Sequence, residues 1–359
     1  MVTIQASVSK GWLHSNGNFN FDEEYYLNPV YRREIDHNIN KFLQDRFPNY
    51  ALYNMEDNLV LAEYCTENMI QVGAIQPNMI ISAILGADFL FFNDKDSDVI
   101  GKPLQEIESL HKLPEISTLL TAPLVGDFVQ KIKDIANQHK NYSIIPPFFW
   151  DLSGRAVIHG IITTSLKLVG ENIFTLMYTN PDLVHNLHQW IANAYIELIT
   201  YFAKLCNIKV SSVHIGECSG TMLSEDLFEE FVIPYINLIG DKIGNIRLHS
   251  CGNTDHLLYS CRKIDRLKIL DVGSNTSIKK IREIFGNTIE INTFPPTDIL
   301  LKGAKKNMVK QWLYTVLDEN NGGDLKIAYH LETDYELENC LFIHDELQKL
   351  GLIKPGRLF

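Results

Sequence analysis

Short apolar runs alternate with longer helical patterns along most of this chain, and few folds accommodate that rhythm. The runs are Ala51–Met55, Asp88–Phe92, Ile144–Phe149, Val210–Gly216, Asn245–His249, Leu267–Val272, Thr288–Thr293 and Leu325–His330. Gly, Asn, Pro or Asp bounds most of them. Several have no polar face to offer to water, as expected of buried parallel strands. Between them the helix ends are legible. Asn180-Pro181-Asp182 supplies a cap, a proline at the first helical position and an acid in the first turn. Leu183, Leu187, Trp190, Ile191, Ala194 and Leu198 follow at helical spacing. Ser224 ahead of Glu225 and Asp226 repeats the signal, Pro234 should kink or end that helix, and Ser277–Phe285 stops at Gly286. Strands alternating with helices imply right-handed βαβ units. Eight strand candidates point to an α/β fold of the (β/α)8 TIM-type barrel, whose core takes about 250 residues. In 359 residues this leaves 1–50 as an N-terminal extension and 51–359 as the barrel, with a helical insertion around Leu104–Leu120.

Composition removes several classes of function. Lys and Arg total 32 against 44 Asp and Glu, a net charge of −12, and no basic stripe offers itself to nucleic acid phosphates. No G-x-G-x-x-G follows a strand and no G-x-x-x-x-G-K-[ST] occurs, so nucleotide binding through such loops is not expected. No G-x-S-x-G marks a hydrolase nucleophile. Six cysteines lie scattered without C-x-x-C spacing, which suits reduced thiols rather than a disulfide framework. No apolar window reaches membrane-spanning length and no signal peptide is apparent, so a soluble, cytoplasmic protein is expected.

Chemistry concentrates at strand ends. The segment 245–253 reads N-I-R-L-H-S-C-G-N, and His249 and Cys251 project from one side of an extended chain. In a barrel that end is the mouth, where barrel enzymes keep their sites. Imidazole and thiolate there are half of a zinc site. A lone cysteine is more often a small buried hydrophobe. Glu217, at the tip of V-S-S-V-H-I-G-E, lies one βα unit earlier; it is either a ligand or general base, or the cap of the next helix. His330 ends L-K-I-A-Y-H and is a candidate further ligand. Cys340 sits in an apolar helical pattern that favours packing. Glu56 and Asp57 follow an early strand and could line the mouth. Pro146–Trp150 is an aromatic cluster suited to a flat ligand or to the core. His159 and the acids Asp94 and Asp96 are ambiguous.

The order of these segments resembles the uroporphyrinogen decarboxylase superfamily, and within it the zinc-dependent, corrinoid-linked methyltransferases. The likeness runs from about Asn54 to Leu347. It is carried by L-G-A-D-F-L-F-F, H-G-I-I-T-T-S-L-K-L-V-G, L-S-E-D-L-F-E-E-F-V-I-P-Y-I, L-H-S-C-G-N-T and T-D-Y-E-L-E-N. The arginine-rich R-Q-A-G-R motif of true decarboxylases is absent. So is the G-C-G turn that supplies a third zinc cysteine in coenzyme M-type members; the matching stretch here is A-Y-H-L-E-T, which places His330 near that position. The resemblance implies a zinc ion held by His249, Cys251 and either His330 or Glu217, with Glu56 or Glu217 handling the leaving-group proton. It implies methyl transfer from a methylated small molecule to the cob(I)alamin of a separate corrinoid protein. Aryl methyl ethers are the first choice of donor, given Phe148, Phe149, Trp150, Tyr25 and Tyr26. Two alternatives stay open: transfer from a methyl-corrinoid protein to a thiol, and a decarboxylase-like or non-catalytic tetrapyrrole-binding barrel.

Overall fold

The computed structural model describes residues 1–54 and 68–354. Its centre is an eight-stranded sheet. In spatial order the strands are Leu52–Asn54, Val2–Val8, Leu325–Leu331, Glu290–Thr293, Leu267–Val272, Asn245–Ser250, Ser212–Gly216 and Arg155–His159. Every neighbouring pair is parallel. The sheet curls until residues from Arg155–His159 and from Leu325–Leu331 line one cavity, the (β/α)8 arrangement expected. Helices cover its outside.

The strand assignments differ from expectation in three places. Residues 1–50, expected to precede the barrel, contribute Val2–Val8, which pairs along its whole length with Leu325–Leu331. Its Gln5 and Ser7 alternate with Ile4, Ala6 and Val8, a two-residue period whose polar side meets the barrel interior rather than water; Ser7 Oγ lies 2.6 Å from His330 Nδ1. Asp88–Leu90, expected in the barrel, pairs antiparallel with Asp98–Ile100 outside it. Phe91 beyond it stacks on Tyr26, centroids 5.5 Å apart. Ser143–Ile145, expected as part of a longer strand in the main sheet, pairs among the described residues with Met69–Gln71 alone. Arg155–His159 takes the place in the main sheet, tied to the preceding loop by Val157 N–H donating to the Phe148 carbonyl at 2.8 Å.

Helix signals map closely onto structure. Pro181–Leu205 buries Leu183, Leu187, Trp190, Ile191, Ala194 and Leu198, although the Asn180 side chain makes no cap bond. Trp190 Nε1 donates to the Pro114 carbonyl at 2.7 Å and so pins the insertion against this helix. Ser224 and Ser277 both cap as expected, accepting from Leu227 N and Lys280 N. Pro234 sits in the first turn of Ile233–Ile243, after a break at Val232. Among the described residues no helix is long and apolar enough to cross a membrane.

The barrel interior is charged. Arg247 Nη2 donates to Asp271 Oδ2 at 2.7 Å, Arg155 Nη2 lies 3.4 Å from Asp151 Oδ2, and Lys326 Nζ is 3.8 Å from Glu290 Oε1. Asn292 bridges two of the pairs, 2.9 Å from Arg247 Nη2 and 2.9 Å from Glu290 Oε1 in the amide orientation that satisfies both. Pairing is what permits these charges to be buried.

Away from this network, burial pushes His188 down to about 3 and His344 down to about 4. The unfolded chain binds these protons near pH 6.5. Their neutral state therefore contributes stability that is present above pH 6.5 and lost as pH falls toward 4. Each group contributes up to about 1.4 kcal/mol per pH unit in that window. The urea midpoint should fall steadily from pH 6.5 to 4.5; a midpoint that holds or rises there would contradict the burial of both rings.

Candidate metal centre

Register does most of the placement. Gly216 pairs with His249 and His249 with Asp271, so the tips of three adjacent strands lie side by side. Glu217 N–H donates to the His249 carbonyl at 2.8 Å and locks the first two tips together. Cys218 and Cys251 each stand two residues beyond the Gly216–His249 pair, and their sulphurs are 3.1 Å apart. His249 Nε2 is 3.1 Å from Cys251 Sγ. Donor atoms of Cys218, His249 and Cys251 all lie within 4.8 Å of one another, a group that could hold a metal ion. On its other side His249 Nδ1 stands 3.1 Å from Asp271 Oδ2. That carboxylate also takes Nε and Nη2 of Arg247, at 3.2 and 2.7 Å.

Burial opposes charge on His249, yet Asp271 and Cys218 override it and push the imidazole up to about 10. Burial alone would raise Asp271; Arg247 and His249 instead hold it far below the usual carboxylate range. The two thiols are coupled through their 3.1 Å contact. The hydrogen bond from Cys251 brings Cys218 down to about 4, and Cys251 is raised in consequence. Cys218 is thereby the more acidic of the two thiols, and it stands beside an imidazole whose protonated form Asp271 favours.

Backbone space matters at one position in particular. A Cβ on Gly273 would lie 2.0 Å from the Cys251 carbonyl oxygen. Only glycine lets the turn after Leu267–Val272 pass beneath Cys251, and Gly273 N–H donates to the Ser250 carbonyl at 2.9 Å.

The expected site residues divide. His249 and Cys251 come together as the H-x-C spacing implies, but the structure completes the group with Cys218 rather than with His330 or Glu217. Glu217 is buried beside the centre with both oxygens engaged elsewhere. Oε1 accepts from Thr163 N and Thr163 Oγ1 at 3.0 Å each, and Oε2 from Ile162 N at 3.2 Å. It caps the helix Ile161–Val169 from outside, the structural role weighed for it, although the helix precedes it in sequence. Burial raises it to about 7 against those bonds. His330 lines the cavity but is held by Ser7. Cys340 is buried within Leu337–Lys349. Glu56 and Asp57 lie outside the described residues. Of the aromatic residues, Tyr25, Tyr26, Phe148 and Phe149 are core, and Trp150 lines the cavity with Phe294 and Tyr335.

Two residues escaped the sequence reading. Cys218 directly follows Glu217 at a strand tip, so the position that singled out Glu217 could have singled it out as well. Asp271 is an acid at the buried end of L-K-I-L-D-V, between Leu270 and Val272, and such a buried charge needs a partner.

The cavity around these groups has a volume of about 500 Å³, within the usual range for a small-molecule site. A parallel barrel with thiols and an imidazole converging at the carboxyl ends of its strands is an enzyme-like architecture. Residues 78–324, more than half of the chain, match the family model described as uroporphyrinogen decarboxylase (URO-D), and the chain belongs to that family. Among solved structures, a methyltransferase from Methanosarcina mazei aligns with a TM-score of 0.60 at 14% identity, over 97% of this chain and 94% of that one. A B12-independent methionine synthase from a Shewanella species aligns with a TM-score of 0.40 at 12% identity, over 63% of this chain and 67% of that one. No curated protein matches the chain.

A thiolate at neutral pH should show itself chemically. In metal-free protein, iodoacetamide at pH 6 is expected to label one of Cys218 and Cys251 well ahead of Cys206, Cys261 and Cys340, as mapped by peptide mass spectrometry. Labelling that begins only near pH 8.5 would contradict the lowering of Cys218.

Proposed function

We propose that this chain is a zinc-dependent methyltransferase, moving a methyl group from a methylated small molecule, first of all an aryl methyl ether, to the cob(I)alamin of a separate corrinoid protein. The observation that supports this reading is the convergence of Cys218, His249 and Cys251 on one point in the cavity. Two sulphurs and one imidazole suit zinc, and three protein donors leave a fourth position for substrate. When bound, zinc would supply Lewis acidity toward the donor's oxygen. The corrinoid partner is what the family resemblance implies.

The chain's own residues have definable tasks. Asp271 stands against Nδ1 of His249, fixing the tautomer so that Nε2 faces the centre. Arg247 keeps Asp271 ionised. Gly273 admits the backbone of Cys251, and Trp150, Phe294 and Leu300 give the cavity apolar wall. In the transfer the O–CH3 bond breaks, the methyl passes to the acceptor, and oxygen keeps the electron pair and gains a proton.

Two outcomes are expected. The purified protein should carry about one zinc per chain, and Asp271→Asn should weaken zinc affinity by about 10- to 100-fold, measured by competition with a chromogenic chelator. With reduced corrinoid protein and a panel of methylated compounds, the corrinoid spectrum should shift for aryl methyl ethers, and Cys218→Ala or Cys251→Ala should abolish the shift with the fold intact. Full activity in either alanine variant, or in chelator-stripped enzyme, would overturn the proposal.

A further inference from the structure

Two histidines beside the metal centre have no part in it. His159 ends one strand and His214 lies within the next; Val157 pairs with His214, and His159 with Gly216. The two rings therefore stand two residues apart along one side of the sheet, and both line the cavity. In each ring Nδ1 is sealed and has no partner. An orphaned buried N–H is rarer than an orphaned buried acceptor, so we assign Nδ1 the lone pair in each ring and the proton to Nε2. A neutral imidazole in that tautomer donates one hydrogen bond from Nε2, and the cavity is where both residues can spend it.

The charges around the cavity narrow what those donors meet. Among the described residues no Lys or Arg side chain lines the cavity, whereas Asp96, Asp271 and Glu332 do. Asp271 is taken by Arg247, and Asp96 by Lys10 at 2.7 Å. Outside the metal centre itself, no lining Lys or Arg stands ready to receive a substrate carboxylate on the ring, and Glu332 would oppose one. Trp150 and Phe294 offer flat apolar surface instead.

We propose that His159 and His214 form a two-donor subsite for the oxygens of an uncharged oxygenated aromatic methyl donor, a methoxyphenol-like ring without a carboxylate. This rests on the methyl-transfer reading above and narrows its substrate class. As the O–CH3 bond breaks, the oxygen retains the electron pair, and neutral N–H donors aimed at it gain strength as its charge grows.

The test is calorimetric titration of the zinc-loaded enzyme with 2-methoxyphenol and with 4-hydroxy-3-methoxybenzoate, run beside methyl transfer to corrinoid protein. The carboxylated ring should bind at least about tenfold more weakly. His159→Phe and His214→Phe should each weaken 2-methoxyphenol by about five- to tenfold, and His214→Gln, which retains an N–H, should recover most of that loss. Equal or tighter binding of the carboxylate would overturn the proposal. So would wild-type affinity in phenylalanine variants that keep native circular dichroism and zinc content. Histidine-dependent binding without any transfer supports the subsite and overturns the methyl-transfer reading.

Discussion

Asp271 is the residue on which the rest of the site depends. One oxygen, Oδ2, takes Arg247 from below and His249 from the side. Arginine supplies a permanent charge, so the carboxylate stays ionised despite full burial, and the ionised carboxylate in turn orients the imidazole. Removing one member of such a buried set leaves an uncompensated charge and costs about 3–5 kcal/mol. The same interaction therefore ties neighbouring strands in one geometry and aims the site.

Barrels of this class commonly fill their interiors with layers of branched apolar side chains. Here Arg155, Arg247, Asp151, Asp271, Lys326 and Glu290 occupy that space as three ion pairs. Such pairs are weak contributors to stability when compared with apolar packing. Their effect is positional: each fixes a side chain by direction as well as by volume. The apolar contribution comes from the outer layer, where Leu187, Ile191, Leu198 and Phe202 pack beneath the sheet without any solvent exposure.

Much of this was legible in the residues. Apolar runs such as Leu267–Val272 and helix signals such as Pro181 and Ser277 located elements to within a residue or two, because those segments obey local rules. Val2–Val8 was not legible as a strand, since its polar positions face a polar barrel interior and therefore read as an exposed face. Asp88–Leu90 misled in the opposite way: its neighbouring aromatic residues pack on Tyr26, so an apolar run formed an outlying ribbon. At the site, H-x-C was readable because both donors lie on one short stretch of chain, His249 in the strand and Cys251 just past its end. Cys218 was legible only as a strand-tip residue, because its proximity to Cys251 is a product of register between strands. Glu217 shows how a strand-tip acid is claimed by a helix end when two backbone N–H groups and a hydroxyl lie within reach.

The central claim is that Cys218, His249 and Cys251 hold zinc and leave one position open. Zinc K-edge absorption of the loaded protein tests it directly. Two sulphur scatterers near about 2.3 Å and one imidazole nitrogen near about 2.0 Å, with a fourth light atom whose signal changes when a methyl donor is added, is the predicted result. A first shell of oxygen and nitrogen alone, or a closed four-donor protein shell indifferent to the donor, would contradict the account.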